Sequence, residues 1–305
     1  MAESTDQPTV VVTGASGLIG TRLVAALEDD GKRVLRAVRR PAQHDQELSW
    51  DPPSGTIDRE KLEGVDAVIH LAGAGIAAKR WTEKYKQLLI DSRVDGTTLI
   101  AETIASLDNP PRVFACASAI GYYGNRGNTE LDESAASGDG FLPEVCMQWE
   151  RACQAARDAD IRTVNMRIGV VLSTAGGALK EMLTPFKLGG GGILGNGRQY
   201  FSWIALDDIV RAMQFLLDNN SLSGPVNLVS PNPVTNREFT KTLGRVLSRP
   251  TVLPMPAFAA RLLFGEMADA LLLASTRVVP GSLANAGFSY QYADLEPALR
   301  HILAD

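Results

Sequence analysis

The chain opens with a short β-branched run, which is followed by glycines and then by apolar residues at helical spacing. Thr9–Thr13 (TVVVT) precedes the glycine-rich segment Gly14–Gly20, and an apolar-periodic stretch runs from Leu18 to Leu27. This order predicts a strand, a tight turn and a helix.

Short apolar runs and helical patterns continue to alternate up to Leu172. We predict strands at Arg33–Val38, Ala67–Leu71, Val113–Ala119 and Thr163–Leu172, and helices at Trp81–Ile104 and Cys146–Ala159. Strands that alternate with helices indicate a parallel sheet that is covered on both faces.

The pattern changes after Leu172, where glycines become frequent and indicate long loops. A helix at Asp207–Asp218 and a strand at Pro225–Ser230 follow, and the remaining chain is mostly helical with several prolines. Long loops in a compact protein are usually functional or disordered.

The glycines after the first predicted strand have the spacing of a dinucleotide-binding turn. The first glycine allows the tight turn, the second lets the backbone approach a pyrophosphate, and the third lets the helix pack closely on the strand. The N–H groups and the positive dipole end of the helix then face the anion. The contacts are predicted at Gly14, Ser16, Gly17, Leu18, Ile19 and Gly20.

The end of the second predicted strand indicates which coenzyme this turn accepts. An acidic side chain at this place binds the ribose 2′-hydroxyl of NAD, whereas this chain has Arg39 and Arg40. Guanidinium groups match a 2′-phosphate in charge and in forked geometry. We therefore expect NADP(H) rather than NAD(H), unless the two arginines only solvate the strand end.

These features predict an α/β protein with a Rossmann-type, doubly wound parallel sheet and a smaller, mostly helical C-terminal substrate lobe. The NADP(H)-binding domain is predicted at 1–172, with 206–230 returning to it. The smaller lobe comprises 173–205 and 231–305.

Composition excludes several other classes of protein. The chain has 305 residues, 45% hydrophobic and 21% charged, which is typical of a globular protein. A net charge of −5 gives no indication of nucleic-acid binding. Three cysteines without a C-x-x-C pair argue against a disulfide framework, and three scattered histidines argue against a metal site.

We expect a cytoplasmic protein with no membrane partner. The N-terminal residues MAESTDQPT lack the basic-then-apolar order of a signal peptide. The most apolar stretch, Pro256–Val279, is interrupted by Arg261, Glu266 and Asp269, so it is too broken for a membrane span.

Together, the motifs resemble the extended short-chain dehydrogenase/reductase superfamily. The similar segments are the first glycine turn, His70-Leu71-Ala72-Gly73, Ser118–Gly124 and Arg167-Ile168-Gly169. The resemblance implies that Leu71, Ala72, Gly73, Arg167, Ile168 and Gly169 line the coenzyme site.

Within this superfamily the chain is most similar to an atypical branch named as epimerase-family proteins. The similar segments are Asp91-Ser92-Arg93 with Gly96-Thr97, Val145-Cys146 with Trp149-Glu150, Ser202-Trp203-Ile204 with Asp207-Asp208, and the tail Pro280–Ile302. The tail resembles the C-terminal domain of unknown function of that branch.

The chain departs from the superfamily at the catalytic residues. The resemblance implies a Tyr-x-x-x-Lys helix and a hydroxyl at the end of the fifth strand, but no Tyr-x-x-x-Lys follows that strand. Alignment places Cys146 and Glu150 at those positions. The hydroxyl position falls on Ala119, with Ser118 one residue away, and strand alternation turns Ser118 to the other face unless a bulge re-aims it.

Four residues remain as candidates for proton transfer, and each also has a structural interpretation. Tyr122 is our first choice, or it packs as an amphipathic ring. Cys146 is an acidic thiol or a small core residue. Glu150 is a carboxyl group with a raised pKa, or it pairs with Arg151 or Arg167. Ser118 is included because it lies one residue from the hydroxyl position at the end of the fifth strand.

A further coenzyme contact is predicted at Arg93, and substrate contacts are predicted in two other regions. Arg93 lies where the superfamily has an asparagine near the coenzyme ribose; it neutralises a pyrophosphate, binds an acidic substrate or forms a surface ion pair. Arg80 and Trp81 are candidates for a substrate wall. The glycine-rich region adds Arg198, Tyr200 and Trp203, as a phosphate clamp with stacking rings or as the anchors of a lid.

Two functions remain open. The first is an NADP(H)-dependent oxidoreductase or epimerase that acts on a small or nucleotide-linked substrate, and this is the one we favour. The second is a non-catalytic NADP(H)-binding redox sensor that signals through a partner. The apolar segment Ala257–Ala274 is the partner surface, a homodimer contact or core of the small lobe.

Overall fold

The computed structural model describes residues 7–304. The first six residues, which include most of the N-terminal stretch considered above, and Asp305 lie outside it. Within the described range the strands are β1 Thr9–Thr13, β2 Arg33–Val38, β3 Glu47–Asp51, β4 Thr56–Ile57, β5 Ala67–His70, β6 Val113–Ala119, β7 Glu130–Leu131, β8 Arg162–Ile168, β9 Val170–Leu172, β10 Tyr200–Phe201, β11 Trp203–Ala205, β12 Gly224–Leu228, β13 Val234–Thr235 and β14 Arg277–Val278.

The helices cover the sheet and build most of the C-terminal part. They are α1 Leu18–Asp29, α2 Glu83–Ala105, α3 Phe141–Arg151, α4 Gln154–Asp158, α5 Gly177–Lys187, α6 Leu206–Asp218, α7 Asn236–Val246, α8 Ala257–Phe264, α9 Gly281–Asn285 and α10 Leu295–Ile302. Local side chains start two of them: Thr82 caps α2 by accepting from Tyr85 N, and Thr235 with Glu238 forms a capping box on α7.

The central sheet has the strand order β12-β8-β6-β5-β1-β2-β3-β4. All neighbouring strands are parallel except β4, which runs antiparallel to β3. Val12 in β1 pairs with Arg36 on one side and Ile69 on the other. Since the chain leaves β1 first toward β2 and later returns to β5, the sheet is doubly wound and has a crevice at the carboxyl end of β1. The predicted α/β fold is confirmed.

Two hydrophobic cores flank the sheet. On one face α1 and α6 pack together, and their residues Leu23, Leu27 and Met213 are buried against the strands. On the other face α2 packs on α3 and α4, and Ile100 and Trp149 lie in that core. The sheet is therefore buried on both sides, which explains why its strands are apolar runs without alternation.

A third core joins the later elements. It is formed by side chains of α5, α7 and α10 around Trp203, which is fully buried. The strand β12 pairs with β8 in the central sheet, so the chain returns to that sheet after α6. The division into two domains stays a prediction.

Three predicted elements are interrupted in the structure. The strand expected at Thr163–Leu172 breaks at Gly169, where a Cβ would lie 2.7 Å from Val229 Cγ1, and β9 pairs with β11 instead. The helix expected at Cys146–Ala159 is divided between α3 and α4. The apolar segment Ala257–Ala274 is divided at Gly265, whose φ of +62° ends α8.

The interpretation of this apolar segment as core is wrong for α8. Phe258, Leu262 and Leu263 are 72%, 76% and 60% exposed. The segment nevertheless contains no membrane span, because no helix in residues 7–304 is both long and apolar enough to cross a bilayer.

A buried carboxylate attaches the C-terminal tail to the sheet layer. Asp208, in the first turn of α6, is fully buried. Its oxygens accept hydrogen bonds of 2.8 Å from Gln291 N and 2.8 Å from Tyr292 N, and one of 3.0 Å from Arg211 Nη1. The three donors satisfy the carboxylate in a place that water does not reach.

We expect Asp208→Ala to lower the free energy of unfolding by about 1–3 kcal/mol, because the backbone N–H groups of Gln291 and Tyr292 lose the buried carboxylate that accepts from them. Urea denaturation measures this change. Asp208→Asn keeps one oxygen and should cost less. The control is Asp218→Ala at the exposed end of the same helix, and an equal loss in both alanine variants would contradict the argument.

Candidate functional site

The turn after β1 has no room for side chains. Gly14 has a φ of +67°, and a Cβ on it would lie 2.9 Å from Leu71 C and O. A Cβ on Gly20 would lie 2.2 Å from Gly14 O. The turn thus contacts the segment after β5 through bare backbone at Gly14, and the absence of a Cβ on Gly20 lets α1 start close against the turn.

The first turn of α1 lies open beside this contact. Ser16 and Gly17 are exposed, and Leu18 and Ile19 are half-buried. The N-cap residue Gly17 has no side chain to accept a hydrogen bond from the helix amides. These amides and the helix dipole therefore suit an external anion, such as a phosphate.

Thr13, which the sequence analysis treats only as a strand residue, links the two sides of the crevice. Its hydroxyl accepts from Leu71 N at 3.1 Å and from Ala72 N at 3.2 Å, and lies 2.7 Å from His70 Nδ1. Because the amides occupy both lone pairs, the hydroxyl proton points to Nδ1, and Nε2 of His70 carries the ring proton.

His70 is a buried, neutral imidazole. Burial lowers the pKa of His70 to about 3. Its Nε2 has no hydrogen-bond partner in the described part of the chain. The ring belongs to the support of the crevice and not to its proton chemistry.

The two arginines at the end of β2 differ in their contacts. Arg40 forms a forked pair with Glu47, with Nη1–Oε2 and Nη2–Oε1 distances of 2.8 and 2.6 Å. Hydrogen bonding to Arg40 holds the pKa of Glu47 at about 2. Arg39 is exposed and has no partner within residues 7–304. The structure therefore leaves Arg39 available to a ligand and engages Arg40.

Arg93 is a largely buried cation next to Gly73. Its Nη1 donates to Leu89 O at 3.0 Å and its Nη2 donates to Ala74 O at 3.1 Å. The guanidinium carbon lies 5.0 Å from the ring centre of Trp149. Burial lowers the pKa of Arg93. No carboxylate within residues 7–304 pairs with it, so the surface ion pair considered for Arg93 does not form.

An ion pair joins Arg167, at the end of β8, to Glu150 in α3. Arg167 donates from Nε to Glu150 Oε1 at 2.8 Å and from Nη2 to Oε2 at 2.9 Å. Ser118 donates to the same Oε1 at 2.7 Å, so its side chain faces α3. Burial alone would lower the pKa of Arg167, but Glu150 outweighs it and raises that pKa. Glu150 is thus committed to Arg167 and Ser118.

The two tyrosines after β6 have different environments. Tyr123 is fully buried; its hydroxyl donates to Asn227 Oδ1 at 2.7 Å and accepts from Arg167 Nη1 at 3.0 Å. Burial raises the pKa of Tyr123 to about 12. Tyr122 is half-buried, and its ring centre lies 3.4 Å from the Arg167 guanidinium carbon. Its hydroxyl has no hydrogen-bond partner in the described chain.

Cys146 is a neutral thiol. It is buried, and its Sγ lies 3.6 Å from Ala119 O. Burial raises the pKa of Cys146 to about 12. This environment does not support the interpretation of Cys146 as an acidic thiol, and it matches the alternative of a small core residue.

The predicted substrate residues do not form one group. Trp203 is fully buried and its Nε1 donates to Asn232 O, so the prediction that Trp203 stacks on a substrate is wrong for this conformation. Trp81 is also buried, with its Nε1 bound to Ile76 O. Arg80 and Arg198 are exposed, and Tyr200 is half-buried below Arg277.

The neutral state of His70 gives a pH dependence of stability. The unfolded imidazole takes up a proton near pH 6.5 and the folded one only near pH 3, so the unfolded state binds more protons in this interval. Stability must therefore fall as the pH falls, by up to about 1.4 kcal/mol per pH unit from this group.

We expect His70→Gln to remove this part of the slope between pH 6 and 4, as measured by urea unfolding at several pH values. The matched control is His44→Gln, the same substitution at an exposed histidine. Parallel pH curves for wild type and His70→Gln would show that His70 titrates normally in the folded protein.

Comparison with known proteins adds the family. The sequence profile of the NAD dependent epimerase/dehydratase family matches residues 10–228, and that of a domain of unknown function (DUF1731) matches residues 255–302. An epimerase family protein of Mycobacterium bovis is 46% identical over 290 residues, which cover 95% of this chain and 96% of that protein.

Two solved structures extend this similarity. The human epimerase family protein SDR39U1, crystallised with NADPH, is 33% identical with a TM-score of 0.89 and covers 97% of this chain and 99% of its own. A nucleoside-diphosphate sugar epimerase from Corynebacterium glutamicum is 34% identical with a TM-score of 0.80 and covers 97% of this chain and 58% of its own. The resemblance found in the sequence is confirmed, and the chain belongs to the NAD dependent epimerase/dehydratase family.

Proposed function

We propose that the protein binds NADP(H) in the crevice between β1 and β5 and acts as an oxidoreductase or epimerase on a small or nucleotide-linked substrate. The observation that carries the proposal is the side-chain-free contact of Gly14 with Leu71, beside the uncapped start of α1. This arrangement fits a pyrophosphate, because a Cβ would fill the space and free amides face it.

Arg39 is proposed to select the coenzyme. It is the arginine at the end of β2 that has no partner in the described residues, and a 2′-phosphate is a forked acceptor for its guanidinium. Arg40 is proposed to act indirectly, because its pair with Glu47 fixes the chain just beyond Arg39. The crystallised human relative holds NADPH, which supports this choice of coenzyme.

Arg93 is proposed to balance an anionic group of the coenzyme or of the substrate. A largely buried guanidinium without a carboxylate partner is unfavourable until an anion approaches it. Its Nη1 and Nη2 groups each donate one hydrogen bond, to Leu89 O and to Ala74 O, and these bonds fix the orientation of the guanidinium. The remaining N–H groups of the guanidinium can still donate to an anion. Gly73 places bare backbone directly against this side chain.

Tyr122 is proposed as the proton donor or acceptor. The bound coenzyme supplies or accepts a hydride, and a phenol at the end of β6 can exchange the matching proton. Stacking on Arg167 fixes the plane of the ring and leaves its hydroxyl unengaged. Glu150, Ser118 and Tyr123 hold Arg167 in place and are positioning residues.

The substrate class is proposed from one relative. The Corynebacterium glutamicum protein is described as a nucleoside-diphosphate sugar epimerase, which supports a nucleotide-linked substrate. We also propose a cytoplasmic location and a homodimer. The cytoplasmic location is supported by the three cysteines, which are all free in the described chain.

One observation favours the second function, a non-catalytic NADP(H) sensor. Cys146 and Glu150 stand at the positions of the catalytic tyrosine and lysine, and Glu150 is already bound to Arg167 and Ser118. A protein that only has to bind the coenzyme needs the glycine turn and Arg39 but no proton donor.

For the coenzyme, we expect Arg39→Ala to weaken NADPH binding by about tenfold to a hundredfold and to leave NADH binding unchanged, because only NADPH has the 2′-phosphate. Isothermal titration with both coenzymes measures this. Arg33→Ala, at the other end of β2, is the matched control. An equal loss for NADPH and NADH would show that Arg39 does not contact the 2′-phosphate.

For catalysis, we expect the wild type to oxidise NADPH with a member of a panel of carbonyl compounds and sugar nucleotides. Tyr122→Phe should slow this turnover by about 10²–10⁴-fold with unchanged NADPH affinity, since it removes only the hydroxyl. Cys146→Ala is the control and should keep the rate. Tight NADPH binding without any turnover would favour the sensor, and a normal rate in Tyr122→Phe would exclude the phenol.

A further inference from the structure

Two of the three cysteines lie close together in the core. Cys116 is in β6, and Cys153 is at the junction of α3 and α4. Both are free and fully buried. Neither has a part in coenzyme binding or in proton transfer as proposed. A buried cysteine is often an inert core residue, so the surroundings decide whether these two thiols have a chemical role.

The periodicities of strand and helix place the two thiols on facing surfaces. Cys116 and Ser118 are two residues apart in β6 and therefore share one face of the strand. Glu150 and Cys153 are joined by a helical turn, in which Cys153 N donates to Glu150 O at 3.4 Å. Ser118 Oγ donates to Glu150 Oε1 at 2.7 Å, so the two surfaces are in contact beside the cysteines.

A contact across the sheet locates Cys153 more closely. Asn165 in β8 is the register neighbour of Cys116, and its Nδ2 donates to Cys153 Sγ at 3.4 Å. The Oδ1 of Asn165 accepts from Arg157, which fixes the orientation of the amide. The thiols of Cys116 and Cys153 are also hydrogen-bonded to each other. The two sulfur atoms are thus neighbours in the folded chain.

The two thiols differ in acidity. Burial raises the pKa of Cys116. The pKa of Cys153 is lowered, because the Cys116 thiol donates a hydrogen bond to it and because the cation of Arg157 lies nearby. The thiolate is the form of cysteine that attacks peroxides. Cys153 is therefore suited to be the attacking sulfur, and Cys116 is suited to be the second thiol that reacts with it.

We propose that Cys116 and Cys153 are a redox-sensitive pair, which closes to a disulfide when hydrogen peroxide enters the core. The sulfur of Cys153 attacks one peroxide oxygen, the O–O bond breaks, and a sulfenic acid and one water form. The sulfur of Cys116 then attacks the sulfenic sulfur, the S–S bond forms, and the hydroxyl leaves as a second water. The two thiol protons end in the two waters; the thiols lose two electrons, and the peroxide gains them.

The position of the pair gives the disulfide a structural effect. It joins β6 to the junction of α3 and α4, beside the contact between Ser118 and Glu150 that helps to hold Arg167. Because both thiols are fully buried, the peroxide reaches them through local opening of the core, and closure is slower than at an exposed cysteine. The proposal does not depend on coenzyme binding or on catalysis.

Treatment of the folded, full-length chain with hydrogen peroxide tests the proposal. After an acid quench and denaturation, the number of cysteines that iodoacetamide labels should fall from three to one. Peptide mapping without reductant should find Cys116 linked to Cys153, and dithiothreitol should restore all three thiols. A disulfide that includes Cys146, oxidation without a cross-link, or a cross-link that forms only in urea would overturn the proposal.

The variants separate the roles of the two sulfurs. Cys116→Ala should stop at the sulfenic acid of Cys153, which dimedone traps, whereas Cys153→Ala should form no sulfenic acid at Cys116. Cys146→Ala is the matched control and should still form the disulfide. The mapping of the wild type needs no variant, so it decides the proposal even if a core substitution fails to fold. A sulfenic acid that forms at Cys116 in Cys153→Ala would refute the role of Cys153 as the attacking sulfur.

Discussion

The close approach of the turn after β1 to the segment after β5 is the contact that the site depends on. It exists because Gly14 has no Cβ and because the Thr13 hydroxyl holds the amides of Leu71 and Ala72. The hydroxyl also fixes the ring of His70, so one small side chain orders both walls of the crevice. The walls of the crevice at this contact are formed by backbone, and their positions follow from the strand order of the sheet.

The hydrogen-bond network around Arg167 is the second feature that shapes the site. Glu150 accepts two hydrogen bonds from Arg167 and one from Ser118, while Tyr123 connects Arg167 to Asn227 in β12. Three neighbouring strands and α3 therefore meet in one buried polar network, in which the donors and acceptors satisfy each other. In the rest of the superfamily, as the resemblance implies, this region performs proton transfer. Here the same space is used mainly to hold a cation against the ring of Tyr122.

The sequence was sufficient wherever local chemistry determines the structure. The β-branched run, the spacing of Gly14, Gly17 and Gly20, and the alternation of strands with helices each follow from short-range rules. The partner of Glu150 was harder to predict, because the sequence offers both Arg151 and Arg167. Only the folded position of α3 against β6, the neighbour of β8, brings Glu150 to Arg167. Burial was the hardest property to predict from the sequence. Trp203 follows a glycine-rich loop, which suggests an exposed side chain, but it is buried in the third core.

The same limits explain what was missed. Thr13 is indistinguishable from any strand threonine until β5 is placed beside it. The apolar segment after Pro256 gave no sign that Gly265 would end its helix and leave Phe258 and Leu262 exposed.

The guanidinium of Arg93, which pairs with no carboxylate in residues 7–304, has a consequence for stability. Removing a charge from water without a counter-charge costs free energy, so the fold carries an electrostatic penalty beside Gly73. An anion that settles there cancels part of this penalty, and its affinity then adds to the stability of the whole chain. If Arg93 balances an anionic group of the ligand, as proposed, resistance to heat and to proteolysis is coupled to the supply of that ligand.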